Sequence, residues 1–414
     1  LLTGKSIGGG TSINWQTSLE TPTEVLNEWD ELTKQKDYFN SDAFRESIKH
    51  VVDNLGVTTD FNHIPLKEEK LAEGFDKNNI GYRVIPKNNH STHGMECGFC
   101  AFGCGYESRN SSYRVWLENE DFNGDIYSDT GIQKIIIDNN KATHIEVENN
   151  GKVSRIEVER VILAGGSLNT PSILLNSGYK NPQLGKNLKT HPVSGVAGKF
   201  KEEQKPWYGS MQGMHSEDFL FKTNNYGYLL QGLPMHPSIF FPYFPNFVSS
   251  AEDFIESYNH WSGAIVLTSD TSSGSLINNG PLWKYKLNDF DNIHLLDGLT
   301  QLVRSYYLAG AEEIMVSASP TMHWNRNENV DIEEFLSKIL SIKNQPYRLL
   351  LGSAHQMGTA RINPNPEQGV VDLDGKVHGL ENVFIVDAST FPRCSGVNPM
   401  ISIQSMSHFL MSKI

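Results

Sequence analysis

The stretch that decides the fold lies near the carboxyl end of the chain, where residues 353–362 read SAHQMGTARI and residues 386–406 read VDASTFPRCSGVNPMISIQSM. Residues 383–386 (VFIV) form a short apolar run bounded by turns, and this pattern predicts a buried parallel strand. Asp387 directly follows that run. Because open α/β sheets bind ligands at the carboxyl ends of their strands, Asp387 is predicted to lie in a ligand site.

A helix is predicted to start at Asn398 and Pro399, with Asn398 as the N-cap and Pro399 in the first turn. Apolar residues then recur at positions 400, 401, 403, 406, 409 and 410, close to helical spacing. The amino end of such a helix offers unpaired backbone N–H groups and a partial positive charge. It therefore suits an anion, or a group that becomes one during a reaction.

His355 precedes a tight turn at Gly358 and Thr359, which could hold the imidazole beside this helix start, opposite the Asn398 amide. A neutral imidazole, an amide and an oriented dipole can together accept a proton from an alcohol while its hydride leaves. Spacing along the chain does not by itself bring these groups together. A hydrogen-bonded structural histidine and an ordinary capped helix would explain the same residues.

The chain opens with a second ligand-binding candidate, the loop LLTGKSIGGGTSINW over residues 1–15. Three consecutive glycines allow backbone to approach a large flat or phosphorylated ligand, and short hydrogen-bonding side chains follow them. These residues are Gly8, Gly9, Gly10, Thr11, Ser12 and Asn14. On their own, three glycines indicate only a turn.

Between these two ends, the patterns predict helices followed by strands. Helices are predicted over residues 22–32 and over residues 41–56, the second with Ser41 as its cap and Gly56 as its stop. Strands are predicted over 132–137, 141–149 and 154–164. The last passes through Gly165-Gly166 into a helix predicted to start at Thr170 and to end at Gly178. Further strands at 264–268, 283–288 and 312–318 flank an amphipathic helix predicted to start at Asn292 and to end at Gly310. Aromatic residues at 239–247 would give this sheet an apolar wall, although such residues more often belong to the core than to a substrate channel.

Three cysteines cluster with C-x2-C-x3-C spacing at Cys97, Cys100 and Cys104. Three thiols could hold an iron–sulfur cluster or most of a zinc site, but no fourth ligand lies nearby and Cys394 is remote. A tight loop of small residues, with no metal, explains the same spacing.

Composition excludes several classes of protein. The 414 residues carry a net charge of −13, so nucleic acid is not an expected partner. No apolar run is long enough to cross a bilayer, and four cysteines do not make a secreted disulfide framework. The sequence begins with Leu1, and its first residues do not have the pattern expected of a signal peptide. The final Ser-Lys-Ile is close to the peroxisomal S-K-L signal, so a peroxisome or an intracellular membrane surface is the expected location.

Several motifs resemble one family, the glucose-methanol-choline oxidoreductases, flavoproteins that oxidise alcohols. The carboxyl-terminal set is H-x-x-G-T from His355, G-x-V-D from Gly369, V-D-A-S from Val386 and S-G-V-N-P-M from Ser395. The opening loop resembles the first family signature, G-G-G-[ST]-S-x-N, and residues 165–192 resemble the second. The segment C-G-x-C-x-x-G-C from Cys97 resembles the long-chain alcohol oxidase branch of the family.

The resemblance implies an α/β fold, with a discontinuous, Rossmann-like FAD-binding domain and a mixed-sheet α+β substrate domain. The FAD-binding domain is expected over residues 1–30, 105–195 and 350–414, a helical cap with the cysteine loop over 31–104, and the substrate domain over 196–349. The implied reaction oxidises long-chain primary alcohols to aldehydes, with O2 as acceptor and H2O2 as product. A fatty substrate also suggests peripheral contact with a membrane.

The resemblance also assigns residues to roles. His355 and Asn398 are the expected catalytic residues, and His191 is expected to be structural. The expected FAD-binding residues are Gly8, Gly9, Gly10, Thr11, Ser12, Asn14, Trp15, Asp387, Ala388, Pro399 and Met400. No metal ligand is assigned.

The chain departs from the family pattern in one respect, because no G-x-G-x-x-G unit for the ADP half of FAD precedes the opening loop. This departure suggests an amino-terminal truncation and leaves two alternatives open. The cysteine trio could carry an iron–sulfur cluster in an alcohol or sugar dehydrogenase that passes electrons to a partner. Alternatively, the chain could be a flavin-free, inactive fragment.

Overall fold

The structure, a computed structural model, describes residues 1–91, 96–240, 251–280, 282–343, 345 and 347–414. The helices within these ranges are α1 (Thr23–Thr33), α2 (Asp42–Asn54), α3 (Leu66–Lys77), α4 (Gly166–Asn176), α5 (Pro237–Phe240), α6 (Ala251–Glu256), α7 (Asp289–Leu308), α8 (Ile332–Ser341) and α9 (Met400–Met411).

The strands within the same ranges are β1 (Arg83–Val84), β2 (Thr130–Asp138), β3 (Lys141–Asn149), β4 (Lys152–Glu157), β5 (Val161–Leu163), β6 (Lys186–Leu188), β7 (Val193–Lys199), β8 (Met214–Ser216), β9 (Tyr228–Leu233), β10 (Trp261–Thr268), β11 (Gly274–Ile277), β12 (Leu282–Lys284), β13 (Glu313–Val316), β14 (Met322–Asn325) and β15 (Val383–Ile385). This mixed α/β architecture agrees with the fold class expected from the sequence.

The largest sheet is antiparallel and has seven strands in the order β1-β8-β9-β10-β7-β13-β14. Its central strand β10, WSGAIVLT, is buried along its whole length because both faces of the sheet are covered. Helices α3, α7 and α8 cover one face and share a hydrophobic core with it. The opposite face bears two smaller apolar clusters and, through Gln231 of β9, contacts the loop before α9.

The predicted strand at VFIV is confirmed, since β15 pairs in parallel with β5 through Val383 and Val161. Both strands are apolar and lie in one core with α1, α2, α4 and α9. Strands β2, β3 and β4 form an antiparallel meander next to this core, and β12, β11 and β6 form a further three-stranded sheet. Asp387 follows β15, so the carboxyl end of the parallel pair is where the predicted ligand site begins.

The capping signals predicted α2 correctly. The Ser41 side chain accepts a hydrogen bond from the Phe44 N–H, and Gly56, just beyond the helix, has a positive φ of 57°. The proposed cap segment, residues 31–104, is divided between the two large cores, because α2 packs with α9 whereas α3 packs with α7. The domain boundaries remain a prediction.

Other predicted boundaries differ from the structure. The helix expected from 292 begins at Asp289 because the Asn288 side chain caps it, accepting a hydrogen bond from the Asp291 N–H at 2.8 Å. The helix expected at residue 170 begins earlier, at Gly166, and the strand expected over 283–288 is limited to Leu282–Lys284.

Most of the predicted aromatic wall, residues 241–247, lies outside the described residues, whereas Phe240 is buried in an aromatic core cluster. In the described ranges, no helix combines the length and the apolarity that crossing a bilayer would require.

Gly298 sets how closely α7 lies on the seven-stranded sheet, and its replacement tests this packing. A Cβ atom at Gly298 would lie 2.5 Å from Cγ1 of the buried Val266 in β10. Overpacking of this kind costs about 1–3 kcal/mol, which exceeds the gain of about 1 kcal/mol that alanine brings to a helix interior. We therefore expect Gly298→Ala to lower the thermal unfolding midpoint. Asn292→Ala, at a partly exposed position on the same helix, should leave the midpoint unchanged or slightly raised, and a more stable Gly298→Ala protein would contradict the packing.

Candidate functional site

The glycine-rich loop forms a short 3-10 turn, Gly9–Ser12, held from behind by the segment that starts at Ser112. The Thr11 hydroxyl donates to the Gly8 carbonyl at 2.6 Å and accepts from the Ser112 N–H at 2.9 Å. A Cβ atom at Gly8 would collide with Tyr113, whereas the Cβ directions of Gly9 and Gly10 meet no atom within 4 Å. The turn is therefore tight on its buried side and open on the side of the last two glycines.

Several predicted cofactor residues lie together at the amino end of α9. The Asn14 Nδ2 group donates to Met400 Sδ at 2.9 Å, which joins the opening loop to the first residue of the helix. The Trp15 carbonyl accepts from the buried Lys87 ammonium at 3.2 Å, and the Ser12 hydroxyl donates back to the Ile7 carbonyl at 2.8 Å. The first N–H groups of a helix have no acceptor within it, so this junction offers unpaired donors to a ligand.

The predicted N-cap at Asn398 is wrong. Helix α9 begins at Met400, Pro399 occupies the cap position, and no side chain caps the helix. The Asn398 Oδ1 atom instead accepts a hydrogen bond at 2.7 Å from the Gln231 amide on β9. Asn398 is nearly buried, and the buried Gln231 donor needs an acceptor that the neighbouring apolar residues cannot provide.

Asp387 is buried and accepts four hydrogen bonds from its own chain. One oxygen accepts from the Gly166 N–H at 2.8 Å and from the Thr170 hydroxyl at 2.5 Å, and the other accepts from the Ser389 N–H and hydroxyl at 2.8 and 2.5 Å. Burial raises the pKa of this carboxyl, and these donors oppose the rise. Asp387 therefore fixes the start of α4 against the turn after β15, at the place where the sequence predicts a cofactor contact.

His355 lies at the other side of this region and contacts His191, which the sequence analysis assigned to structure. The two Nδ1 atoms are 3.3 Å apart and the ring planes are 86° from parallel. Burial of the ring, together with His191, lowers the pKa of His355 well below its usual value, so the imidazole is neutral at neutral pH. The predicted Ala388 belongs to the same region, because its carbonyl accepts from the N–H of Gly358 in the His355 turn at 3.0 Å.

The amino terminus also reaches the His355 turn. The Leu2 N–H donates to the Ser353 carbonyl at 2.8 Å, and the Gln356 side chain donates to the Leu2 carbonyl at 3.3 Å. The opening loop therefore extends from the start of α9 to the histidine.

Three residues of the site were missed by sequence reasoning and form a relay that ends at Asn398. The Thr17 hydroxyl donates to Gln212 Oε1 at 2.7 Å, and Gln212 Nε2 donates to Gln231 Oε1 at 3.1 Å. Gln231 Nε2 then donates to Asn398 Oδ1, so the relay has one direction and leaves Asn398 Nδ2 as the donating end of the amide. The sequence signal was a glutamine inside the otherwise apolar buried strand YLLQGL.

The cysteine loop does not form a metal site among the described residues. Cys100 is buried, and its Sγ atom accepts from Gln16 Nε2 at 3.5 Å. Burial lowers the pKa of the neighbouring Lys87 to about 8, and the thiol of Cys100 opposes that shift. In the described ranges, the one group of His, Cys, Asp and Glu side chains close enough to share an ion is His191, Asp270 and Cys394, so the iron–sulfur interpretation of the loop gains no geometric support.

The flavin that the sequence resemblance implies fits the residues present. Gly9 and Gly10 leave space for a large ring system, and the amino end of α9 offers donors to an anion. A separate, half-open depression of about 460 Å³ lies at the carboxyl end of β5, bordered by Ala164, Gly165 and Asn169.

Comparison with curated proteins finds long-chain-alcohol oxidases among the relatives. The chain is 32% identical to long-chain-alcohol oxidase FAO4A of Arabidopsis thaliana over 99% of its own length. The aligned part covers 58% of that relative, so the chain spans little more than half of its length.

Comparison with solved structures shows the same fold. A pyridoxine 4-oxidase from Mesorbium loti has a TM-score of 0.71 at 15% identity, with 99% of this chain and 84% of that chain covered. An FAD-dependent oxidoreductase from Chaetomium thermophilum has a TM-score of 0.66 at 16% identity, with 100% of this chain and 86% of that chain covered.

Two family models of the GMC oxidoreductases match the chain, one over residues 1–193 and the other over residues 258–407. The matched ranges contain the glycine-rich loop, His191, His355 and the start of α9. These matches and the structural likeness support FAD as the cofactor. The chain belongs to the GMC oxidoreductase family.

Proposed function

We propose that this protein is an FAD-dependent oxidase of long-chain primary alcohols. The balanced reaction converts one alcohol and one O2 into one aldehyde and one H2O2. When bound, FAD supplies the hydride acceptor for the alcohol carbon and returns the two electrons to O2. The chain's own residues have to bind the alcohol, remove its hydroxyl proton and orient its oxygen.

The observation that carries the proposal is the neutral imidazole of His355. A proton acceptor must be unprotonated at the working pH, and the lowered pKa of His355 meets that condition. His355 accepts the hydroxyl proton of the alcohol. The similarity to long-chain-alcohol oxidase FAO4A, which covers nearly the whole of this chain, supports the same reaction class.

Asn398 supplies the complementary donor. Because Gln231 occupies its Oδ1 atom, its Nδ2 group is the end that can donate to the alcohol oxygen as negative charge develops there. An amide free to rotate could present either end to the substrate. The relay from Thr17 through Gln212 and Gln231 removes that ambiguity.

Buried and partly buried apolar side chains flank Gln231 on the same face of β9, and we propose that the alkyl chain of the substrate packs beside them. Side chains two residues apart on a strand share one face, so Leu229, Gln231 and Leu233 point to the same side of β9. Leu229 packs with Val397. Leu233, about 7 Å from Gln231 along the strand, packs against the aromatic cluster of Phe240, Phe254 and Tyr258. An alkyl chain that extends from Asn398 along β9 would meet apolar groups.

Two further expectations stay within this proposal. A fatty alcohol partitions into lipid, so we propose peripheral contact with a membrane surface during substrate uptake. We also retain the proposed location in a peroxisome or at an intracellular membrane, on the basis of the final Ser-Lys-Ile.

The first test is an anaerobic absorption spectrum of the flavin-loaded protein before and after addition of a long-chain primary alcohol such as hexadecanol. We expect the flavin bands to bleach, and to return in air with formation of equal amounts of aldehyde and H2O2. Ethanol and glucose, added at the same concentration, serve as controls and should bleach the bands at least tenfold more slowly. Bound flavin that no alcohol reduces would contradict the proposed function.

Replacement of His355 tests the proton acceptor. His355→Ala should lower the rate of flavin reduction by about 10²–10⁴-fold at unchanged flavin content, because general-base catalysis contributes a factor of that size. His144→Ala, at a partly buried position on β3, is the control and should react like the parent. In the parent, the rate should remain flat as the pH falls through 6.5 and decrease only well below it, because a depressed pKa moves protonation of the base to lower pH. A rate for His355→Ala within a few-fold of the parent would rule out this role.

A double-mutant cycle tests whether Gln231 acts through Asn398. Gln231→Leu should slow flavin reduction about tenfold, since it allows the Asn398 amide to rotate. Asn398→Ala should slow it by at least as much. If the two act together, Gln231→Leu should have almost no effect in the Asn398→Ala background. Independent, multiplying effects of the two changes would show that the relay does not orient Asn398.

A further inference from the structure

His191 lies where it can set the protonation pattern of His355. The two turns that carry these residues are joined on both sides by backbone hydrogen bonds. Lys189 and Met357 exchange N–H and carbonyl bonds of 2.9 and 3.0 Å, and Val193 and Gly352 exchange bonds of 3.0 and 2.8 Å. These bonds hold the two turns side by side at both ends, which accounts for the 3.3 Å contact between the Nδ1 atoms of His191 and His355.

A buried carboxylate holds the His191 turn in an uncommon backbone conformation. His191 has a positive φ of 46°, which is unusual for a residue other than glycine. Asp270, fully buried, accepts from the His191 N–H at 3.2 Å, from the Thr190 N–H at 3.0 Å and from the Tyr285 hydroxyl at 2.8 Å. These three bonds oppose the backbone strain and keep the imidazole directed at His355.

A hydrogen bond between two imidazole Nδ1 atoms requires a proton on one of them and a lone pair on the other. Both rings are neutral at neutral pH, because burial lowers the pKa of His191 to about 4 and that of His355 well below its usual value. Two arrangements are then possible. If His355 Nδ1 carries the proton, its Nε2 atom has the lone pair that a base needs, and in the opposite arrangement Nε2 is protonated and cannot accept a proton.

The buried side of His191 decides between these arrangements. A ring nitrogen of His191, a carboxylate oxygen of Asp270 and the Cys394 sulfur all lie within 4.8 Å of one another. His191 Nε2 is buried and has no hydrogen-bond partner among the described residues. Because His191 Nδ1 is turned to His355, we place the His191 proton on Nε2, since the nearby negative charge of Asp270 stabilises an unpaired N–H and repels an unpaired lone pair. His191 Nδ1 is then left with a lone pair and accepts from His355.

We propose that His191 is a positioning residue that holds His355 in the tautomer protonated at Nδ1, with the Nε2 lone pair available to the substrate. The relevance of this tautomer to catalysis rests on the proposed function, but the tautomer itself is a property of the chain. Asp270 acts one step further away, because it fixes the backbone of His191.

A metal ion is the other chemistry that His191, Asp270 and Cys394 could support, and their surroundings disfavour it. The Asp270 carboxylate already accepts three hydrogen bonds. The Arg393 guanidinium lies 4.0 Å from Cys394 Sγ and brings a fixed positive charge to the place that a cation would occupy.

The test is nitrogen NMR of the flavin-free protein with labelled histidine, with the His355 signals assigned from a His355→Gln variant. We expect His355 to be protonated at Nδ1 only, with a coupling across the hydrogen bond to His191 Nδ1. In His191→Phe, which keeps ring volume without a nitrogen, that coupling should vanish and His355 should shift toward the Nε2-protonated form. In His191→Asn, which tolerates a positive φ and supplies an acceptor oxygen, the Nδ1 form should return.

The kinetic prediction uses the same variants loaded with FAD. His191→Phe should slow flavin reduction by long-chain alcohol at least tenfold at unchanged flavin content, and His191→Asn should recover to within about threefold of the parent. The matched control is His294→Phe, because His294 on α7 is also a buried histidine and contacts Phe290 instead of His355. It should leave the His355 signals and the rate unchanged.

Several outcomes would overturn the proposal. A His355 protonated at Nε2 in the parent protein would do so even if every His191 variant failed to fold. So would a His355 tautomer that is unaffected in His191→Phe, or stoichiometric binding of Zn²⁺ that His191→Phe abolishes. If His355 shows the expected tautomer but no alcohol reduces the flavin, only the proposed function is contradicted. If alcohol reduces the flavin rapidly but the His355 tautomer does not depend on His191, only the present inference is contradicted.

Discussion

The four hydrogen bonds to the Asp387 carboxylate hold together the region on which the site depends. They join the turn after β15 to the first residues of α4, two segments more than two hundred residues apart in sequence. The parallel pair β5 and β15 has only three paired residues on each strand, so its carboxyl end needs support beyond the strand pairing itself. Because the carboxylate is buried, the loss of one of these four donors would cost about 1–3 kcal/mol and weaken the link between the two segments.

Buried carboxylates also fix other irregular segments near the site, by accepting hydrogen bonds from backbone N–H groups. Asp270 binds the turn that carries His191, and Asp291 binds the Thr271 and Ser272 N–H groups at 2.9 and 2.6 Å in the loop that follows. Glu68 binds the Gly213 and Met214 N–H groups at 2.9 and 2.8 Å, next to the Gln212 of the amide relay. Loops have no ladder of backbone partners, and buried carboxylates supply the missing acceptors. Several of the acidic residues that make the net charge negative are therefore buried and hold backbone segments in place.

Sequence reasoning succeeded where a local rule fixes the structure and failed where a distant partner does. Ser41 and Gly56 mark the ends of α2 because capping depends on neighbouring residues, and the apolar run VFIV could be recognised as a buried strand from its own composition. Asn398 was expected to cap its own helix, but a glutamine 167 positions earlier binds its side chain. His191 was assigned to structure because of the family resemblance, and its spacing from His355 carries no information about their contact. Such contacts depend on how the seven-stranded sheet approaches the loop before α9, and no local pattern encodes that approach.

The contact between Asn14 and Met400 has a consequence for how long such an enzyme would last. A thioether accepts the amide of the opening loop at 2.9 Å, and Met400 lies at the amino end of α9, in the region proposed to bind FAD. In an oxidase that releases H2O2 there, each turnover exposes this sulfur to an oxidant that converts methionine to its sulfoxide. The added oxygen would lengthen the Asn14 contact and push the glycine-rich loop away from the helix. Inactivation would then depend on the number of catalytic turnovers and not on elapsed time. Reduction of the sulfoxide by a methionine sulfoxide reductase could restore the contact.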